Sequence, residues 1–76
     1  MKADVRLNQR GYKCPMPVVA IARAAREANS GTVIAVACTD QGAASDIPAW
    51  CEMKGVDFLG SETEADGAVT YFVRTR

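Results

Sequence analysis

The sequence predicts an α/β (α+β) domain with element order β-α-β-α-β-β, in which two helices pack on one face of a mixed four-stranded sheet. Two observations carry this prediction. Apolar residues alternate with polar ones near both ends of the chain, and Thr32–Cys38 is a nearly unbroken apolar run of strand length. Two segments with helical spacing separate these strands. The chain has 76 residues, which is enough for one small domain covering residues 1–76.

The first strand and the first helix are predicted from residue spacing. Val5 and Leu7 alternate with polar neighbours, as in a short half-buried strand. A run from Val18 to Ala28 is typical of a helix, and Asn29–Gly31 can end it because these residues tolerate left-handed conformations. The predicted buried face of this helix consists of Val18, Ile21, Ala22 and Ala25.

The second helix is predicted within residues 43–54 and is ended by Gly55. Pro48 leaves two alternatives: a helix that begins near Ser45 or Asp46, with the proline in its first turn, or a longer helix that the proline bends. The predicted buried face consists of Ala44, Ile47, Trp50 and Cys51.

Two strands complete the predicted sheet. They cover Val56–Leu59 and Val69–Val73, and the second shows clear alternation. The segment Gly60–Gly67 is polar and acidic, so it is expected to form a hairpin connection that can include extensions of the strands.

Composition limits the classes of function. Nine basic and nine acidic residues give a net charge of zero, so bulk attraction to nucleic acid or to a membrane surface is not expected. No apolar run approaches the ~20 residues that cross a bilayer. The segment Met1–Asp4 lacks the apolar core of a signal peptide, so we expect a cytoplasmic location.

Cysteine and histidine usage narrows the chemistry further. The chain has three cysteines and no histidine, and no C-x-x-C pair is present. Reduced thiols are therefore expected rather than a disulfide framework, and neither a metal site nor a Cys-His nucleophile is expected. Cys38 ends an apolar strand and Cys51 lies one helical turn from Ile47, so both are predicted to belong to the core.

The segment Gly11–Pro17 places Cys14 at the mouth of the first helix, with Pro15 and Pro17 after it. Proline favours a first helical turn, so Cys14 is predicted to be the helix N-cap or the residue next to it. There, free N–H groups and the helix dipole favour a thiolate, and Lys13 adds a neighbouring cation. The motif therefore predicts an accessible, easily ionised thiol.

Topology gives this cysteine a neighbouring loop. A strand-helix-strand connection makes the first two strands parallel, so both end at the same edge of the sheet. Cys14 follows the first strand and Asp40–Gly42 follows the second, and ligands favour this edge of open α/β sheets. For Asp40 and Asp46, the favoured interpretation is that at least one caps the second helix.

Two blocks of residues resemble the TusA/SirA-like sulfur-carrier family. The first is the C-P-x-P motif Cys14–Pro17, preceded by Gly11, and the second comprises Asp40–Gly42 and Asp46–Cys51. Gln41 stands where the family usually has proline, and Tyr12 where it usually has leucine. The resemblance covers essentially the whole chain and implies a two-layer α/β sandwich that carries sulfane sulfur.

By this resemblance, Cys14 accepts sulfur as a persulfide from a cysteine desulfurase or a rhodanese-like donor and passes it to an acceptor protein. The pathway served would be tRNA thiolation, cofactor sulfuration or sulfur oxidation. No cofactor is implied beyond the transient persulfide. Site-shaping residues would be Gly11, Lys13, Pro15 and Pro17, and candidate partner-docking residues are Val19, Arg23, Arg26 and Asp40.

Two other classes of function stay open at this point. A thiol–disulfide oxidoreductase would pair Cys14 with Cys51 or Cys38. A binding or regulatory module would use Cys14 only as a structural residue. Direct tRNA binding is a weaker alternative, because the chain carries no net positive charge.

Overall fold

The computed structural model describes residues 2–76. Its element order is β-α-β-α-β-β, as predicted. The elements are β1 (Val5–Gln9), α1 (Met16–Glu27), β2 (Val33–Cys38), α2 (Ala43–Lys54), β3 (Asp57–Thr63) and β4 (Val69–Arg74).

The four strands form one mixed sheet in the order β1-β2-β4-β3. β1 and β2 are parallel, with Leu7 opposite Val36, whereas β2 and β3 each pair with β4 in the antiparallel sense. The apolar β2 therefore lies between two neighbours, which explains why its sequence is almost free of polar residues.

The core lies between the sheet and the two helices. Ile21 of α1 and Ile47 of α2 are both fully buried, and the predicted inner face of α1 packs against the same cluster. On α2 the predicted face is wrong at one position: Ala44 is exposed, and its neighbour Ala43 is buried instead. The cluster's buried members are Ile21, Ile34, Val36, Cys38, Ala43, Ile47, Trp50, Cys51, Tyr71 and Val73.

The longer of the two alternatives for α2 is the one observed, with Pro48 inside the helix and Gly42 at the N-cap. Proline lacks an N–H, so the carbonyl of Ala44 loses its intrahelical donor. Because Ala44 is exposed, that carbonyl can turn to water. Gly55 ends the helix as predicted, in a left-handed conformation with φ of 70°.

β3 pairs with β4 as far as Thr63 opposite Val69, so the strand extension that the sequence analysis allows within Gly60–Gly67 is present. Only the tight turn after it remains as the hairpin connection, where the N–H of Glu64 donates to the carbonyl of Ala68 at 2.7 Å. Polar residues are tolerated along β3 because it is an edge strand, with one side of its backbone open to solvent.

Candidate functional site

Cys14 lies at the C-terminal edge of β1, in the turn that leads into α1, and its side chain is exposed. The N-cap of α1 is Pro15, so Cys14 is the residue next to the cap, which is one of the two predicted positions. Pro17 occupies the first helical turn and is fully buried, which anchors the start of the helix in the protein. The accessibility predicted for the cysteine is confirmed.

The loops that follow β1 and β2 lie side by side, as predicted for parallel strands. The N–H of Gly11 donates to Oγ1 of Thr39 at 2.9 Å. The N–H of Cys14 donates to Oδ2 of Asp40 at 3.3 Å. Two hydrogen bonds from backbone donors of the first loop to side chains of the second therefore position the cysteine.

Asp46, in the first turn of α2, contacts the sulfur itself. The Sγ–H group of Cys14 donates to Oδ2 of Asp46. The N-cap of α2 is Gly42 and has no side-chain cap, so the expectation that Asp40 or Asp46 caps this helix is wrong. Both carboxylates are hydrogen-bonded to Cys14 instead, one through its backbone and the other through its sulfur.

Gly42 lies where these groups converge. A Cβ atom at this position would lie 2.9 Å from Oδ2 of Asp40 and 3.7 Å from Cβ of Cys14. Its φ of −64° is helical, so its backbone conformation does not require glycine. Space favours glycine here, since a side chain would displace the carboxylate that holds the Cys14 loop.

The electrostatic environment of Cys14 is the opposite of the one predicted. The hydrogen bond to the Asp46 carboxylate raises the pKa of the Cys14 thiol above its ordinary value of 9.0, and partial desolvation and the charges of Asp46 and Asp40 act in the same direction. The prediction of an easily ionised thiol is therefore wrong. Lys13 is adjacent and exposed, but the two carboxylates outweigh it, so the site favours the neutral form of the Cys14 thiol over the thiolate.

A shallow groove of about 310 Å³ runs from Cys14 along α2. Its α2 side is formed by residues at positions i, i+3, i+4 and i+7, which is one face of a helix. This spacing is present in the sequence, but the sequence patterns identify only Asp46 and Trp50 of the four as candidate cap or core residues. The residues that line the groove are Cys14, Pro15, Val18, Asp46, Ala49, Trp50 and Met53.

A second groove, of about 380 Å³, lies between α1 and α2 and shares Trp50 with the first. It includes two of the candidate docking residues, Val19 and Arg26. Arg23 is exposed on α1 but lies outside this lining. Asp40 is half-buried and bonded to Cys14, so the structure places it in the loop framework rather than on the open surface.

The other two cysteines belong to the core, as predicted. Cys38 and Cys51 are free thiols, each 2% exposed. Burial raises the pKa of each to about 11, so neither ionises appreciably near neutral pH. Trp50 is also a core residue, 9% exposed, with part of its side chain bordering both grooves.

Within residues 2–76, no three His, Cys, Asp or Glu side chains come together in a way that could hold a metal ion. Over the same residues, neither helix is long and apolar enough to cross a membrane.

The structure defines a small two-layer α/β protein with one exposed cysteine at the start of its first helix. The chain belongs to the family described as Sulfurtransferase TusA, whose model matches residues 5–75. It is 36% identical over 73 residues to the sulfur carrier protein TusA of Pseudomonas entomophila, covering 96% of this chain and 90% of the relative.

Two relatives from Bacillus subtilis carry the name putative sulfur carrier protein. YrkI is 41% identical over 66 residues, covering 87% of this chain and 88% of YrkI. YrkF is 34% identical over 74 residues, covering 97% of this chain but 40% of the longer YrkF. A crystal structure of a SirA-like protein from Desulfitobacterium hafniense superposes with a TM-score of 0.82, at 18% identity, over 92% of this chain and 95% of that one. That likeness confirms the predicted fold.

Proposed function

We propose that this protein carries sulfane sulfur as a persulfide on Cys14 and relays it from a donor protein to an acceptor protein. The observation that supports this most strongly is the placement of Cys14. It is the exposed cysteine of the three, and hydrogen bonds from two loops hold it in one position. Membership of the TusA family supports the same role.

The proposed transfer conserves both atoms and electrons. Sγ of Cys14 attacks the terminal sulfur of a donor persulfide, and a new S–S bond forms on Cys14. The S–S bond of the donor breaks, and the donor cysteine leaves as a thiolate that takes up the proton given up by Cys14. Sulfur moves at the oxidation level at which it arrives, so this step needs no oxidant or reductant.

A cysteine desulfurase or a rhodanese-like protein would serve as the donor, and the acceptor would belong to tRNA thiolation, cofactor sulfuration or sulfur oxidation. The surface around Cys14 suits docking of either partner. Exposed apolar side chains lie on the cysteine loop and on both helices, and arginine is a favoured interface residue. The candidates are Tyr12, Met16, Val19, Met53, Arg23 and Arg26.

The assignment of Cys14 is tested with inorganic polysulfide as the sulfur source. Wild-type protein, Cys14→Ser and the control Cys51→Ser are incubated with it, and digested peptides are analysed by mass spectrometry. We expect added sulfur on the Cys14 peptide of the wild type and of the control, and none on Cys14→Ser. Retention of bound sulfur by Cys14→Ser at the wild-type level would refute the assignment.

The same samples test the thiol–disulfide alternative. An oxidoreductase that used Cys14 with Cys51 or Cys38 would form a reversible intramolecular disulfide under mild oxidation. Both partner thiols are buried and have a raised pKa, so we expect all three cysteines to stay unlinked. A disulfide-linked peptide pair in the wild type would favour the alternative instead.

A further inference from the structure

We propose that Asp46 is the proton partner of Cys14: it accepts the thiol proton when Sγ attacks a sulfane sulfur and donates a proton when Sγ becomes the leaving group. This inference rests on the proposed persulfide chemistry and adds a second reacting residue to it. It assigns Asp46 a catalytic role, because its carboxylate contacts the reacting atom.

The geometry that carries the proposal is a direct hydrogen bond. Oδ2 of Asp46 accepts from the Sγ–H group of Cys14, with no residue between them. Asp46 is half-buried in the first turn of α2 and lines the same groove as the thiol. A carboxylate in this position lies within reach of the proton that must leave when the sulfur acts as a nucleophile.

Asp40 does not fit the same role, although it is nearby. Its Oδ2 accepts from the backbone N–H of Cys14, so Asp40 is bonded to the main chain and not to the sulfur. Lys13 directly precedes Cys14 in the chain and is exposed. The other groove residues, namely Pro15, Val18, Ala49, Trp50 and Met53, carry no titratable group.

Asp46 would transfer a proton both when Cys14 is loaded with sulfur and when it is unloaded. During loading, the S–H bond of Cys14 breaks as Sγ bonds to the incoming sulfur, and the proton passes to the Asp46 carboxylate. The departing donor thiolate then takes this proton from Asp46, which restores the carboxylate. During unloading, an acceptor thiol passes its proton to the Asp46 carboxylate as it attacks the terminal sulfur. The S–S bond on Cys14 breaks, and Asp46 gives this proton to the departing Sγ.

The first test measures the ionisation of Cys14 and needs no sulfur transfer. The ultraviolet absorbance of the thiolate is followed against pH for wild type and Asp46→Asn, and the titration of Cys14→Ser is subtracted to isolate Cys14. Removing the carboxylate should lower the pKa of the thiol and raise its thiolate fraction near neutral pH several-fold. Glu52→Gln, an exposed carboxylate on the same helix, is the matched control and should leave the titration unchanged.

The second test asks whether Asp46 moves the proton during reaction. A neutral aromatic disulfide is attacked by Cys14, and the rate is divided by the measured thiolate fraction at each pH. With a proton acceptor in place, this ratio rises as pH falls, because thiol molecules react as well as thiolates. In Asp46→Asn we expect this ratio to be independent of pH. In Asp46→Glu we expect the ratio to increase again as pH falls, but less than in the wild type. A role in folding alone would not change the shape of this profile.

Two results would overturn the proposal: an unchanged thiol titration in Asp46→Asn, or a wild-type ratio that is flat with pH. Urea unfolding of each variant verifies that it is folded, and Asp46→Ser provides a second neutral variant with a smaller side chain. Failure here is distinct from failure of the proposed function. Sulfur loading that occurs on Cys14 without any dependence on Asp46 would refute only the proton role, whereas loading that survives Cys14→Ser would refute the carrier assignment.

Discussion

Oδ2 of Asp40 lies 3.3 Å from the backbone nitrogen of Cys14 and accepts its N–H, although 26 positions separate the two residues in the chain. This bond joins the loop after β1 to the loop after β2, beside the Gly11–Thr39 bond. The position of the cysteine is therefore set by two loops together and not by its own helix alone.

Removing this acceptor should loosen the cysteine loop. In Asp40→Ala the N–H of Cys14 turns to water, so we expect the free energy of unfolding to fall by about 1 kcal/mol or less, since the bond is exposed. Asp40→Asn keeps an acceptor oxygen and should lose less. Urea denaturation of the three proteins gives the comparison, and a larger loss for Asn than for Ala would contradict it.

Gly42→Ala should disturb the site without unfolding the protein. The new Cβ would displace the end of the Asp40 side chain, while the helical φ of −64° suits alanine. We expect the free energy of unfolding to stay within about 1 kcal/mol of the wild type, and the Cys14 amide to exchange its hydrogen faster. Hydrogen exchange followed by NMR measures the second effect.

Gly55→Ala is the contrasting variant. Gly55 has open space around its Cα but a φ of +70°, so alanine there should cost about 1 kcal/mol through backbone strain alone. The Cys14 amide should exchange as in the wild type while the fold stays intact. If both substitutions sped up exchange of the Cys14 amide equally, the effect of Gly42→Ala would not be local.

Thiol labelling should separate the three cysteines. Cys14 is exposed, whereas Cys38 and Cys51 are buried with a pKa of about 11 each. Iodoacetamide at neutral pH should modify Cys14 alone in the folded protein and all three cysteines in denaturant. Cys14 should itself react more slowly than a free cysteine, because the Asp46 hydrogen bond raises its pKa. Peptide mass analysis over time measures each site, and labelling of Cys51 at the rate of Cys14 would contradict the structure.

Acid should weaken an ion pair at the opposite end of the sheet. Hydrogen bonds from Arg76 and Arg74 hold the pKa of the Asp57 carboxyl below its ordinary value of 3.8. A carboxyl with a lowered folded pKa stabilises the protein above its unfolded pKa, and this contribution is lost as pH falls through the folded pKa. We therefore expect the difference in unfolding free energy between wild type and Asp57→Asn to shrink as pH drops below 3.8.

The matched variant for this prediction is Arg76→Gln. It removes the nearer donor, whose Nη2 lies 2.6 Å from Oδ1 of Asp57. The Asp57 pKa should then rise toward its ordinary value in an NMR titration, while the Asp66 carboxyl, which pairs with Arg10, should titrate as before. The effect on stability should be small, because both arginines are largely exposed.

Most of the fold could be predicted because each element carries its own local signal. The helical spacing of Ile21 with its neighbours, the apolar run of β2 and the glycine that ends α2 are all local features. The full length of β3 could not be predicted, because it depends on pairing with β4 and not on the polarity of β3 itself. The pattern does not distinguish Ala43 from Ala44, because they lie four and three residues before Ile47 and both spacings fit its helical face.

The sequence by itself determined the order of the elements, the exposure of Cys14 at the start of α1 and the burial of the other two cysteines, because these follow from spacing and polarity along the chain. Only the tertiary structure decided the direction in which the pKa of that thiol is shifted. Asp46 is 32 positions away from Cys14, and no local pattern says which polar group will meet the sulfur. Hydrogen bonds and charges act through space. The carboxylate that α2 brings to the cysteine loop therefore has a larger effect on the pKa of Cys14 than the N-terminus of α1 and Lys13, which are visible in the sequence.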